Sequence, residues 1–150
     1  MSVEKYSELN KIFNSFHDGY FESEFRRNKN DFLLKISIKY LAELIKSDYK
    51  YFFIKLLNLK KIELVIYKGD AKERINNIEE ILNLKPDIFS CDYNESRLII
   101  KSNINNFNNN KNCYAELFLS CDNYKLYDQR LNEIDYRNII EISEFYWKNK

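Results

Sequence analysis

The chain has 150 residues, of which 24 are Lys or Arg and 23 are Asp or Glu, so its formal net charge is +1. This length fits one domain, and a hydrophobic fraction of 45% with 16% aromatic residues excludes an intrinsically disordered chain. The balanced charge gives no long-range attraction to a polyanion, which disfavours nucleic acid as a partner.

The first half of the chain predicts one helix followed by strands. Apolar residues at spacings of three and four predict a helix over residues 3–14, which ends before the turn signal Asp18-Gly19. From Tyr20 the period changes to two, which is typical of strands with one buried face. The strands predicted here span residues 20–26, 32–40, 51–57 and 62–67. The last two are apolar on both faces and are expected in the centre of a sheet.

The second half predicts a helix, further strands and a last helix. Asp70 is a candidate N-cap with Glu73 at the capping-box position, so a helix is expected from Asp70 to Leu84. The strands predicted after it span residues 88–93, 97–104, 113–121 and 124–128, the last two forming a hairpin around Asp122-Asn123. Residues 105–112 are expected to form a polar loop. Asp135 is expected to cap the final helix.

Together these elements predict a β-dominated α+β fold. Short links between successive strands imply antiparallel pairing. We therefore expect residues 1–150 to form a single antiparallel β-sheet domain, a sandwich or a strongly curved sheet of about seven or eight strands. Helices are expected at the N-terminus, in the middle and at the C-terminus.

The sequence also favours a cytoplasmic location. The N-terminal residues lack the apolar segment of a signal peptide, and no apolar run approaches the ~18 residues needed to span a membrane. Cys91, Cys113 and Cys121 are odd in number and widely spaced, which indicates reduced, mostly buried thiols. The bias towards Asn, Lys, Ile, Tyr and Phe indicates an A/T-rich gene and hence a bacterium with a low-GC genome.

Motifs that carry chemistry are scarce. His17-Asp18 is the one candidate acid–base pair, and its alternative interpretation is a corner in which His17 bonds to backbone and Asp18 caps the turn. Consecutive residues of an extended chain point to opposite sides, so Asp18 is not expected to orient His17. One histidine and three unpatterned cysteines predict no metal site, and two glycines are too few for a phosphate loop, so no cofactor is expected.

Aromatic residues give the best functional signal. The chain has 12 tyrosines and 11 phenylalanines, and tyrosine is enriched at protein interfaces because it buries area at low entropic cost. The candidate binding residues are His17, Asp18, Tyr124, Tyr127 and Asp128. An A/T-rich gene would also inflate the tyrosine content, so the signal has a compositional alternative.

Ser15-Phe16-His17-Asp18 resembles the opening stretch of the immunity-protein-50 family of bacterial polymorphic toxin systems. Residues 53–64 are similar to the central aliphatic segment of that family, and residues 116–121 resemble its closing strand. The resemblance implies a small β-rich protein that binds and neutralises a cognate toxin, with His17 and Asp18 as shared positions. The chain departs from the family pattern at Ile12-Phe13-Asn14, where a tryptophan and a proline are common.

The sequence therefore predicts a non-catalytic domain that binds a protein partner, and an immunity protein that binds a toxin is its most specific form. One alternative is a small enzyme or ligand-binding domain with a pocket near His17. A second alternative is a structural homo-oligomer. Neither a membrane nor nucleic acid is expected as a partner.

Overall fold

A computed structural model describes residues 2–149 and contains four helices and nine strands. The helices are α1 (Val3–Ser15), α2 (Lys39–Ala42), α3 (Ile78–Asn83) and α4 (Tyr136–Lys148). The strands are β1 (Tyr20–Asn28), β2 (Asp31–Ser37), β3 (Tyr51–Leu57), β4 (Lys61–Lys68), β5 (Ala71–Ile75), β6 (Asp87–Tyr93), β7 (Leu98–Phe107), β8 (Asn110–Ser120) and β9 (Asn123–Tyr127). No helix in this range is long and apolar enough to cross a bilayer.

The strands form one open sheet in the order β5-β4-β8-β7-β6-β1-β2-β3-β9, and every pair is antiparallel. The predicted α+β class, antiparallel sheet and positions of the helices are thus confirmed. The sheet has nine strands instead of seven or eight, and of the two forms expected the sandwich is wrong, because all nine strands belong to one open sheet.

The helices cover one face of the sheet. On β2 and β3 buried and half-exposed residues alternate strictly, so one side chain in two points into the core. The apolar stripe of α1 packs on this buried face, where Phe13 and Phe21 lie 5.8 Å apart between ring centroids. We call the opposite face, which no helix covers, the outer face.

The sheet has a line of sparse strand pairing between β6 and β1. These strands share one ladder pair, Tyr20 with Asp87, whereas β7 and β8 pair along most of their length. Helix α1 contacts β6 and β7 on one side of this line and β9 on the other. The line divides the sheet into a five-strand half (β5-β4-β8-β7-β6) and a four-strand half (β1-β2-β3-β9).

Several boundaries differ from the sequence predictions. The helix expected from Asp70 is wrong, because residues 71–75 form β5 and the helix begins only at Ile78, capped by the Asn77 side chain. The loop expected over residues 105–112 is mostly strand, since β7 and β8 join through a tight turn at Asn108-Asn109 with φ of 47° and 65°.

Two predictions of strand position are also wrong. Strands β3 and β4 are not central, because each lies next to an edge strand of the open sheet. Strands β8 and β9 do not form a hairpin around Asp122-Asn123: β8 pairs with β4 and β7, while β9 pairs with β3. The predicted cap at Asp135 is confirmed, as its side chain accepts a hydrogen bond from the Arg137 N–H.

Candidate functional site

His17 and Asp18 form the corner between α1 and β1. His17 Nδ1 lies 2.6 Å from the carbonyl oxygen of Phe89, so Nδ1 carries the proton and donates. His17 Nε2 lies 3.5 Å from a carboxylate oxygen of Asp18. The expectation that the two side chains diverge is therefore wrong, because Asp18 has φ of 71° and the backbone here is not extended.

Beyond the single ladder pair of β1 with β6, residues of the corner form further hydrogen bonds with the backbone of β6. The Asp18 N–H donates to the Ile88 carbonyl, and the Ile88 N–H donates to the Gly19 carbonyl. Further along, Asn14 Nδ2 donates to the Cys91 carbonyl, and the Cys91 N–H donates to Asn14 Oδ1. Side chains from the end of α1 and the corner thus bond to backbone groups of β6 that a neighbouring strand would otherwise satisfy. Asn14 and His17 therefore have a structural role.

Gly19 is required at this corner for space. A Cβ atom there would lie 3.0 Å from the carbonyl oxygens of Phe16 and Ser37 and 3.1 Å from Cβ of Ile38. Two of these neighbours are backbone atoms, which cannot move away without disturbing α1 or β2. The stretch around His17 is therefore closely packed on its inner side.

An open groove of about 370 Å³ lies beside His17, between α1 and α4. Trp147 forms one wall, with 45% of its surface exposed and its ring 6.4 Å from the imidazole. Both imidazole nitrogens already face protein oxygen atoms. Within residues 2–149 no three His, Cys, Asp or Glu side chains come close enough to hold a metal ion.

The other three candidate residues lie elsewhere. Tyr124 faces α1, and its hydroxyl donates to Glu8 at 2.7 Å; burial and this bond to a carboxylate raise its pKa. Tyr127 lies on the outer face, where it pairs with Phe53. Asp128 follows directly and is buried. The five predicted residues thus occupy three separate places, with Tyr127 and Asp128 adjacent to each other and His17 and Asp18 at the corner.

The outer face of the four-strand half carries a row of cations. The cross-strand partners run from Arg26 on β1 through Leu33 on β2 and Lys55 on β3 to Lys125 on β9. Directly opposite residues have Cβ atoms about 5 Å apart, and like charges in such pairs are destabilising. Lys55 and Lys125 are such a pair. Among the described residues neither Arg26 nor Lys55 has an ion-pair partner.

The next row of this face is aromatic. Lys35, Phe53 and Tyr127 are cross-strand partners, and Tyr51 lies beside Phe53 with its ring nearly perpendicular at 5.4 Å. The Lys35 ammonium lies 4.0 Å from the centroid of the Tyr51 ring and 3.7 Å from a Glu24 oxygen. We call the surface formed by Arg26, Leu33, Lys35, Phe53, Lys55, Lys125 and Tyr127 the basic face.

The outer face of the five-strand half is built differently, because there charges of opposite sign are paired. Lys101 lies 3.0 Å from Asp92, and Arg74 lies 2.8 Å from Glu63. Lys101 and Glu116 are also direct cross-strand partners. In the four-strand half the pairing is incomplete: Lys35 lies 3.7 Å from Glu24 and Lys125 lies 4.0 Å from Glu133, whereas Arg26 and Lys55 have no acidic partner among the described residues.

A cavity of about 320 Å³ lies at the end of the basic face, below the turn that follows β9. Its lining combines the cations Arg26, Arg27 and Lys55 with the apolar groups of Leu33, Tyr127 and Leu131. The Asp31 side chain also reaches it, and one of its oxygens accepts a hydrogen bond from the Asn58 N–H.

Asp128 stabilises the turn after β9, which contributes Leu131 to the lining of this cavity. One of its carboxylate oxygens accepts from the N–H groups of Arg130 and Asn132, and the other accepts from the Asn132 side chain. The turn holds Leu131 at φ of 64°, a left-handed conformation that costs a residue with a Cβ roughly 1–2 kcal/mol. The Leu131 side chain is nevertheless 43% exposed and lies outside the hydrophobic core.

The sequence pattern identifies Tyr127 and Asp128 but not the lysines of the basic face. Lys35 and Lys55 occupy the polar positions of period-two strands and look like ordinary solvated residues when each strand is considered alone. The signal would have been the cross-strand register, which depends on the pairing of β3 with β9. Comparisons with protein-family models, with curated proteins and with solved structures each gave no match.

Proposed function

We propose that this chain is a non-catalytic binding domain that docks an acidic surface of a partner protein on its basic face. One observation carries the proposal: Lys55 and Lys125 are direct cross-strand partners in a row that also contains Arg26. Lys125 lies 4.0 Å from Glu133, but Lys55 has no acidic partner among the described residues, so a partner carboxylate placed between the two lysines would add attraction where the sheet leaves a positive charge without a neighbouring acid. The net charge of the whole chain is only +1, so this positive potential is local.

The arrangement of the aromatic rings favours a protein partner over a single-stranded nucleic acid. Stacking of bases needs aromatic faces that are free. On the basic face the Lys35 ammonium covers the Tyr51 ring, and Tyr51 and Phe53 pack edge to face. Partly exposed aromatic side chains are, in contrast, enriched at protein interfaces.

The resemblance of residues 15–18, 53–64 and 116–121 to immunity proteins supports a bacterial toxin as the partner. In this form of the proposal the chain occludes an acidic surface of the toxin without altering it chemically. Co-expression with a toxin encoded beside its gene tests this form. Growth should be rescued by the natural chain and not by a variant whose basic face has reversed charge.

A photo-crosslinking experiment tests the docking surface itself. Tyr127 is replaced by p-benzoylphenylalanine, and the crosslinked protein from the cell of origin is identified, purified and titrated. We expect its Kd to rise at least tenfold with the Lys55→Glu/Lys125→Glu variant, because both cations would meet the acidic surface with the wrong charge.

Two matched controls accompany this experiment. Lys39→Glu/Lys111→Glu changes the net charge equally at exposed positions outside the basic face and should leave the Kd unchanged. Tyr114, which is 41% exposed on the outer face of the five-strand half, takes the crosslinker as a second control. The proposal would be contradicted if both double variants bound equally well. It would also be contradicted by crosslinks only to nucleic acid or only between copies of this chain.

A further inference from the structure

We infer that the cavity beside Leu131 is the anchor point of the basic face and receives an apolar side chain flanked by carboxylates from an extended segment of the partner. This inference rests on the proposed function and specifies which part of the face discriminates between partners. It combines three observations: the exposure and backbone conformation of Leu131, the lining of the cavity, and the charge left without a partner.

The first observation is that Leu131 occupies a position suited to glycine or asparagine. Its φ of 64° is fixed by the Leu131 N–H bond to the Asp128 carbonyl and by the Asp128 N–H bond to the Asn132 carbonyl. Asparagine at this position would keep the turn with less strain. A leucine that is strained and exposed contributes little to the fold, and such outliers are typical of binding sites.

The second observation is the apolar part of the cavity lining. Leu33 and Tyr127 lie on neighbouring rows of the sheet, and Leu131 of the turn after β9 lines the same cavity. The volume of about 320 Å³ is at the small end of the range for ligand pockets. It suits one side chain of a partner and is small for a whole cofactor.

The third observation is the charge around the apolar groups. Arg26, Arg27 and Lys55 line the cavity, and the one acid in the lining, Asp31, accepts a hydrogen bond from the Asn58 N–H. The lining of the cavity therefore combines an excess of positive charge with apolar groups. An apolar residue between two acids matches both features, whereas a phosphate alone would leave the apolar wall uncovered.

The test uses an acetylated and amidated peptide, Ser-Glu-Glu-Leu-Glu-Ser, titrated into the full chain and followed by NMR shifts of backbone amides. The largest shifts are expected at Lys55, Tyr127 and Leu131. Leu131→Asn should raise the Kd for the peptide at least fivefold while the chain stays equally or more stable to urea. Replacing the peptide leucine by serine should weaken binding similarly, and no further loss is expected when both changes are combined.

Leu44→Asn is the matched control, because Leu44 is also an exposed leucine, 38% exposed, and lies beyond the opposite end of β2. It should leave the Kd for the peptide unchanged. A purely structural role of Leu131 would give the reverse result, in which Leu131→Asn lowers stability and leaves peptide binding intact.

The outcomes separate this inference from the proposed function. If peptide binding is lost in Lys55→Glu/Lys125→Glu but is unaffected by Leu131→Asn, the anchor is overturned and the docking face is retained. No peptide binding at millimolar concentration also overturns the anchor, while the crosslinking experiment still decides the docking face. Tighter binding of a ten-residue oligo-dT than of the peptide overturns both.

Discussion

At the scale of single residues, the corner between α1 and β1 explains why the only histidine stands beside an aspartate. Asp18 adopts a left-handed backbone, so the chain turns sharply enough for His17 to reach the Phe89 carbonyl. Phe89 lies where the register of β6 and β7 shifts, and its carbonyl has no partner from β1. His17 thus satisfies a backbone acceptor that the irregularity leaves exposed.

Replacing His17 by alanine should lower the free energy of unfolding by about 1 kcal/mol, because the bond to the Phe89 carbonyl is lost. Urea denaturation followed by circular dichroism measures this change. Asp18→Asn is the control and should have a small effect, since an ion pair between exposed groups contributes little. Unchanged stability in His17→Ala would argue against the structural role of this histidine.

At the scale of elements, the N-terminal helix is fixed to the sheet by Asn14 as well as by its apolar stripe. The amide of Asn14 forms both a donor and an acceptor bond with the backbone of Cys91. This is the pattern that a neighbouring strand would provide. Local sequence patterns do not indicate these bonds, because an asparagine near the end of a helix is ordinarily interpreted as a capping residue.

Asn14→Ala should destabilise the chain by about 2 kcal/mol, since two hydrogen bonds to the edge of β6 are lost. Hydrogen exchange of the Cys91 amide should accelerate more than exchange in β7 and β8. Lys11→Ala, at an exposed position of the same helix, should change neither quantity. Equal stability of the two variants would show that α1 is held by its apolar contacts alone.

Periodicity predicted most elements, and two of its failures have clear physical causes. Residues 70–75 contain Asp, Ala, Lys, Glu and Arg, which favour a helix, but Gly69 with φ of 59° turns the chain back so that this segment pairs with β4. Pairing overrides intrinsic propensity at such an edge. Residues 105–112 are polar because this end of the β7–β8 hairpin is exposed on both faces.

The candidate site was predictable only in part for a related reason. Tyr127 and Asp128 were recognisable as residues near the end of a strand. Their neighbours Arg26, Leu33 and Lys55 come from three other strands, and the order β2-β3-β9 cannot be derived from local patterns. The basic face is a property of long-range register, whereas periodicity reports only which side chains of one strand share a face.

At the scale of the whole molecule, buried tyrosines and thiols make the fold sensitive to alkali. Burial, and then the charges of Asp18 and Tyr146, raise the pKa of Tyr40 to about 12, and burial raises the pKa of Cys121 to about 11. Burial also raises the pKa of Cys91. The unfolded chain, with ordinary values near 9 and 10, loses these protons first.

Stability should therefore fall as the pH rises from 9 to 12, because the unfolded state binds fewer protons there. Urea denaturation at several pH values measures this trend. Tyr40→Phe should be less stable than the natural chain at pH 7, since the bond from its hydroxyl to the His17 carbonyl is lost. The difference should shrink by pH 11, and a constant difference would contradict the role of Tyr40.

The order of the strands also determines when the basic face can exist during synthesis. Lys55 emerges from the ribosome with β3, but its neighbour β9 follows only after β4 to β8 have been made. Synthesis proceeds at about 5–20 residues per second, so β3 spends several seconds with an unpaired edge. A nascent chain thus exposes a strand edge beside Lys55, and the proposed docking face is complete only once the last strand has been added.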